Sequence, residues 1–160
     1  MPIVDVLDLK KVLPAGGRLL GLDLGTKTLG IAISDSALRV ATPLVALKRS
    51  KFTLDIARLK ALIDERGVGA LVVGLPVALD GREGRRCQSV RQFAVNFLSE
   101  VDLPLAFWDE RFSTLAVERS LRQATLSHRR RGEIVDKLAA AYILQGVLDR
   151  LALASNRAQP

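Results

Sequence analysis

The run Ala70–Leu75 (ALVVGL), bounded by Gly69 and Pro76, is the most restrictive stretch of the chain. A continuous apolar segment of this length reads as a strand buried on both faces, so its sheet needs cover above and below. Leu103–Trp108 has the same character. Upstream, Arg18–Asp23 and Ile31–Ser34 flank the turn Gly25–Gly30 and read as a hairpin. Val40–Lys48 reads as a third strand, in which Pro43 marks an irregularity or an edge. Apolar spacing predicts helices over Phe52–Arg66, closed by Gly67, over Arg85–Glu100 and over Gly132–Leu153. A shorter helix is expected over Thr114–Ala124, with Ser113 as its cap. A hairpin followed by alternating helices and strands predicts an α/β fold with a mixed sheet. The 160 residues suit one domain, residues 18–153, with an N-terminal leader (1–17) and a tail (154–160).

Composition removes several kinds of chemistry. The single cysteine, Cys87, excludes a disulfide scaffold and a cysteine-based zinc site, and fits a helix residue facing its neighbours. His128 is the only histidine, so imidazole-rich metal sites and Ser-His or Cys-His catalysis have almost no material. No unbroken apolar run approaches the roughly 18 residues of a membrane span, and no export signal opens the chain. A reduced, cytoplasmic setting without a membrane partner is therefore expected. Lys and Arg number 24 against 17 Asp and Glu, a net charge of +7 that favours a polyanion, above all nucleic acid. The charge is clustered: Arg82–Arg91 holds four arginines and one acid, and Arg119–Arg131 holds five arginines and none. A merely soluble basic surface is the plainer alternative.

Three acids break the apolar pattern. Asp23 stands inside LLGLDL, where a carboxylate is costly to bury; it either caps the following turn or serves a site. Asp109 and Glu110 leave the end of a buried strand, the edge at which open sheets bind ligands, though many strands simply end in polar residues. Asp136 falls on the stripe of Ala139, Ala140, Ile143, Leu144, Val147 and Leu148, so it is expected to face the sheet, unless it only complements the helix dipole. Glu133 lies on the same side as an auxiliary. Carboxylates drawn together repel unless a cation separates them, and an all-oxygen set suits Mg²⁺ or Mn²⁺. Two such ions about 4 Å apart suit phosphodiester hydrolysis.

Four ordered stretches then become recognisable: Gly21–Gly30 (GLDLGTKTLG), Val73–Gly84 (VGLPVALDGREG), Trp108–Thr114 (WDERFST) and Val135–Gln145 (VDKLAAAYILQ). Together they resemble the YqgF family, the RuvX-like or Holliday-junction-resolvase-like proteins of the ribonuclease-H-like superfamily, over roughly residues 18–150. The resemblance implies Asp23, Glu110 and Asp136 as metal-binding catalytic acids, and Glu110 rather than Asp109. Asp109 and Thr114 remain auxiliary candidates. It also implies a five-stranded mixed sheet with helices on both faces. Lys27-Thr28-Leu29-Gly30 departs from the family's usual Lys-Arg-Ile-Gly, which leaves Lys27 as the basic residue of that turn.

Around the acids, two basic loops are expected to hold phosphates. Gly81-Arg82-Glu83-Gly84-Arg85-Arg86 leads into a helix N-terminus, and Ser127-His128-Arg129-Arg130-Arg131 precedes the acid-bearing helix. Arg82, Arg85, Arg86, Arg129, Arg130 and Arg131 thus join Lys27 as nucleic-acid contacts, with His128 a bystander. Aromatic residues make up only 4% of the chain, which points to backbone charge and shape rather than base stacking. The leading expectation is a metal-dependent endonuclease on structured nucleic acid, which the resemblance directs to the 5′ end of pre-16S ribosomal RNA. A four-way DNA junction is the alternative substrate, and its two symmetric cuts call for a homodimer rather than a monomer. A non-catalytic RNA-binding or ribosome-assembly factor is a further class. Asp-Leu-Gly-Thr also opens the phosphate loop of actin-like and sugar-kinase ATPases, which need two such domains where this chain has length for one.

Overall fold

The computed structural model describes residues 3–112 and 128–158, with side chains in the last helix described from Leu138 to Asn156. A short helix α1 (Leu9–Val12) precedes the hairpin strands β1 (Arg18–Leu24) and β2 (Thr28–Ser34) and the strand β3 (Ala41–Lys48). Then come α2 (Phe52–Arg66), β4 (Val68–Leu75), α3 (Arg85–Glu100), β5 (Leu105–Asp109) and the long α4 (His128–Ala158). The sheet order is β3-β2-β1-β4-β5. β1, β2 and β3 pair antiparallel, and β4 and β5 run parallel to β1, so the sheet is mixed as the apolar pattern predicts. All eight residues of β4 are buried, because it lies between two strands and is covered on both faces.

Alternation divides the sheet cleanly. Leu20, Leu22 and Leu24 of β1 face α2 and α3, in a core with Leu59, Phe93 and Phe97. Leu19, Val72, Ala106 and Trp108 face the other way, onto Ala139, Ala140, Ile143, Leu144 and Val147 of α4. Glycine lets α4 come unusually close. A Cβ on Gly21 would stand 2.8 Å from Leu144 Cβ and 3.1 Å from the Ala140 carbonyl. From the helix side, Gly146 rests on the Trp108 indole, where a Cβ would stand 2.9 Å from the ring.

Most predicted elements recur, and the differences have local causes. Helices α2 and α3 have the expected bounds, and Gly67 closes α2 in the left-handed conformation at φ 65°. β2 begins at Thr28 rather than Ile31, because the Gly25 N–H bonds the Thr28 carbonyl at 2.9 Å and tightens the hairpin. Pro43 sits at a register shift of the edge strand β3, where its missing N–H does least harm. β5 begins at Leu105 rather than Leu103, just past Pro104.

The larger corrections concern the two ends. His128–Arg131, expected as a loop, is helical, and α4 runs on to Ala158 through the expected tail; arginine, alanine and leucine favour helix, no proline interrupts it, and Gly132 and Gly146 are carried within it. Residues 3–14 of the leader pack against the sheet and α4. The Val4 N–H bonds the Leu105 carbonyl at 2.8 Å, and Leu9 is wholly buried. Leu138–Asn156, with mean hydropathy 1.3, is long and apolar enough to cross a bilayer, which unbroken apolar runs did not predict. Its apolar stripe lies against the sheet, as in a core helix. The short helix expected at Thr114–Ala124 lies outside the described residues.

Gly21→Val would force a branched side chain into the gap beneath Ala140 and Leu144. Such overpacking is expected to lower the unfolding free energy by about 1–3 kcal/mol. A urea midpoint equal to that of the wild type would show that α4 does not rest on β1 at this point.

Candidate functional site

Asp23 is 3% exposed, the next-to-last residue of β1. Period-2 alternation puts it on the α4 face with Leu19 and Gly21, away from Leu22 and Leu24. Glycine flanks it. Gly30 is its partner on β2, and the step after the Leu22–Val73 pair brings Gly74 of β4 alongside. The place a side chain would occupy at Gly74 is already filled: a Cβ there would lie 2.8 Å from Glu110 Oε1 and would also strike Ile143 of α4. Glu110 therefore folds back from the turn after β5 over the same face that carries Asp23. The two acids, 87 residues apart in the chain, thus stand on one face of the sheet, at the C-terminal ends of β1 and β4 where Gly30 and Gly74 leave the backbone bare.

Asp109 takes a different path. Phe107 faces the α3 side and Trp108 the α4 side, so Asp109 returns to the α3 side. There Arg111 clamps it, through Nε at 3.0 Å and Nη2 at 2.6 Å to Oδ2, with the Arg111 N–H donating to Oδ1 at 2.9 Å. The guanidinium holds the Asp109 carboxyl below its ordinary range. The clamp is therefore formed at neutral pH, and its contribution is lost only as acid carries the pH down through that lowered value. Glu110 and Asp109, neighbours in sequence, thus serve opposite faces.

The third acid is located through its helix. Ala140 and Leu144 rest on Gly21, while Asp149 and Leu153 share a groove with Asp5–Leu7, beside the N-terminal end of β5. α4 consequently runs antiparallel to β1. Asp136, one turn before Ala140, belongs to the part of α4 that approaches the C-terminal end of β1. Its side chain, and those of Glu133 and Arg129–Arg131, lie outside the described residues, as does Thr114. Among the described residues no cluster of three metal-binding side chains occurs. Asp23 and Glu110 are brought to one face of the sheet, and Asp136 is placed only by its backbone.

The basic residues also separate by partner. Arg82 pairs with Asp80 at 3.3 Å, and Arg91 with Glu83 at 2.6 Å while its guanidinium stacks 5.0 Å from the Phe107 ring centre. Lys27 is exposed in the hairpin turn. Arg85 and Arg86 open α3 and line a pocket with Arg49, a residue that the sequence reading missed. Arg49 follows β3 with no motif around it, and only the pairing of β2 with β3 carries it to the hairpin turn. Cys87 is fully buried, and burial pushes its thiol up, in keeping with a packing role.

Comparison with known proteins places this architecture. A family profile described as "RuvX: Holliday junction resolvase" matches residues 17–150. A protein of Paramagnetospirillum magneticum named "Putative pre-16S rRNA nuclease" is 56% identical over 149 residues, 93% of this chain and 96% of that protein. A protein of Roseobacter denitrificans with the same name is 54% identical over 153 residues, 94% of each chain. Among solved structures, T. thermophilus RuvC in complex with a Holliday junction substrate aligns with TM-score 0.53 over 85% of this chain and 96% of that one, at 16% identity. That likeness bears out the ribonuclease-H-like sheet and its helices on both faces. On the profile match and these full-length relatives, the chain belongs to the RuvX family.

Proposed function

We propose that this chain is a divalent-metal-dependent endonuclease that processes the 5′ end of pre-16S ribosomal RNA. The observation that supports this reading best is Glu110 Oε1 folded over Gly74, on the face where Asp23 is buried. Two carboxylates on one mostly apolar face call for positive charge between them. The donors are all oxygen, which fits Mg²⁺ or Mn²⁺, and Asp23, Glu110 and Asp136 are the residues that would hold such ions. When bound, they supply Lewis acidity and an activated water for phosphodiester hydrolysis.

The rest is done by the chain itself. A central strand holds Asp23 in one position, because β1 is paired on both sides. The Asp109–Arg111 clamp sets the turn that carries Glu110. Ile143 and Trp108 close this face from behind and exclude bulk water. Arg85 and Arg86 at the start of α3 and Lys27 in the hairpin turn would meet a polyanion, with Arg82 and Arg129–Arg131 as further candidate contacts. The names of the relatives direct the substrate to pre-16S rRNA, and both the family description and the RuvC likeness keep a four-way DNA junction as the second reading.

Asp23→Asn, Glu110→Gln and Asp136→Asn are each expected to cut Mn²⁺-dependent cleavage by more than the roughly 10–100-fold typical of outer-shell partners, with folding and RNA binding retained. Asp109→Asn is expected to stay within that roughly 10–100-fold range. Equal losses for Asp109→Asn and Glu110→Gln would refute the assignment, and cleavage surviving in any of the first three removes that acid from the site. In parallel assays, a pre-16S 5′ leader is expected to be cut in preference to a mobile four-way junction. Preference for the junction, with a dimer in solution, would establish the second reading; RNA binding without cleavage under Mg²⁺ or Mn²⁺ would make the chain a binding factor.

A further inference from the structure

On the opposite side of β1 from the two acids, a pocket of about 260 Å³ opens between the hairpin turn and the start of α3. Leu24, Gly25 and Thr26 form one wall, and Arg49, Arg85 and Arg86 supply the charge. Among the described residues that line it there is no carboxylate. This sets its arginines apart from Arg82, Arg91 and Arg111, each of which meets an acid. Arg49 Nη1 instead donates to the Gly25 carbonyl at 2.8 Å, and Arg86 Nη2 reaches towards the Leu24 carbonyl at 3.5 Å. Two guanidiniums are thereby drawn onto consecutive carbonyls of one turn. A neutral carbonyl orients a guanidinium without cancelling its charge, and each arginine has five donors, so most of them remain for another acceptor.

The helix sharpens the point. α3 starts with Arg85 and Arg86, has no acid in its first turn, and its N-cap Gly84 offers no side-chain bond to the first amides. Cations at that end oppose the helix dipole. An anion seated between Arg49, Arg85 and Arg86 would remove the mutual repulsion, the unfavourable dipole contact and the uncapped amides together. Its volume is several times the roughly 30 Å³ share of one water, so a hydrated phosphate fits.

We infer that this pocket binds an internal backbone phosphate of the strand being cut, with Arg49 as a positioning residue for cleavage. The inference rests on the nuclease reading, and place in the fold supports it. The pocket wall begins at Leu24, the residue after Asp23, so a strand crossing the end of β1 would pass from the acids into the arginines.

The test uses the full chain in EDTA with an end-labelled pre-16S 5′-leader RNA, measuring affinity against salt. Arg49→Ala is expected to weaken binding about tenfold and to lower the log–log salt slope by about one. Arg49→Lys is expected to restore the slope but only part of the affinity, since an ammonium lacks the bidentate fork. A scan with single methylphosphonates should reveal an internal position whose neutralisation weakens wild type and leaves Arg49→Ala unchanged. An unaltered slope in Arg49→Ala, with only a lower melting temperature, would make Arg49 a brace for the turn and overturn the inference. So would sensitivity to a 5′-terminal phosphate alone. Cleavage of the same RNA with Mn²⁺ tests the underlying reading separately: cutting with an unaltered slope sinks the pocket alone, whereas an Arg49-dependent slope without cutting sinks the nuclease and leaves the pocket standing.

Discussion

The close seating of α4 on the sheet is the contact on which the rest depends. It exists because Gly21 and Gly74 present bare backbone to Ala140, Leu144 and Ile143, and because Gly146 lets the indole of Trp108 lie against the helix. A helix held that near covers the face on which Asp23 and Glu110 stand. It also carries the backbone of residue 136 towards the end of β1. Larger residues at these glycines would lift α4 and open that face to water, where two carboxylates interact weakly and organise little.

Charge in this molecule is arranged by face. On the α3 side, Asp109 with Arg111 and Glu83 with Arg91 are neutralised locally and stiffen the loops around β5. On the α4 side, Asp23 is buried and Glu110 lies over Gly74 beside Ile143. Also on the α3 side, at the hairpin turn, Arg49 and Arg86 are held by carbonyls. Clamped pairs, gathered acids and carbonyl-held cations thus occupy distinct sites along one sheet edge.

Much of this was legible before any coordinates. The continuous run of β4 demands two covered faces, the helical spacing of α2 and α3 gives their bounds, and Asp23 stands out as a charge in an apolar strand. Spacing alone left Asp109 and Glu110 equivalent, and only the four-motif resemblance preferred Glu110. The fold separates the two, since alternation turns Asp109 to the α3 side while Glu110 folds over Gly74. Arg49 was invisible because nothing within its own segment marks it. The helicity of His128–Arg131 was missed for a related reason: a run of arginines followed by Gly132 reads as a surface loop, although arginine itself favours helix and a single glycine does not end one.

What the sequence alone determined is therefore local and periodic: a strand buried on both sides, helices of given phase, acids that break the apolar pattern, and a basic excess gathered in clusters. Tertiary structure decided which distant groups meet. It placed Glu110 over Gly74 beside the strand of Asp23, turned Asp109 away to Arg111, and delivered Arg49 to the hairpin turn through the pairing of β2 with β3. The reason is physical. Periodicity states which face a side chain takes, whereas proximity between remote residues is set by strand order and by how closely a helix can approach bare backbone.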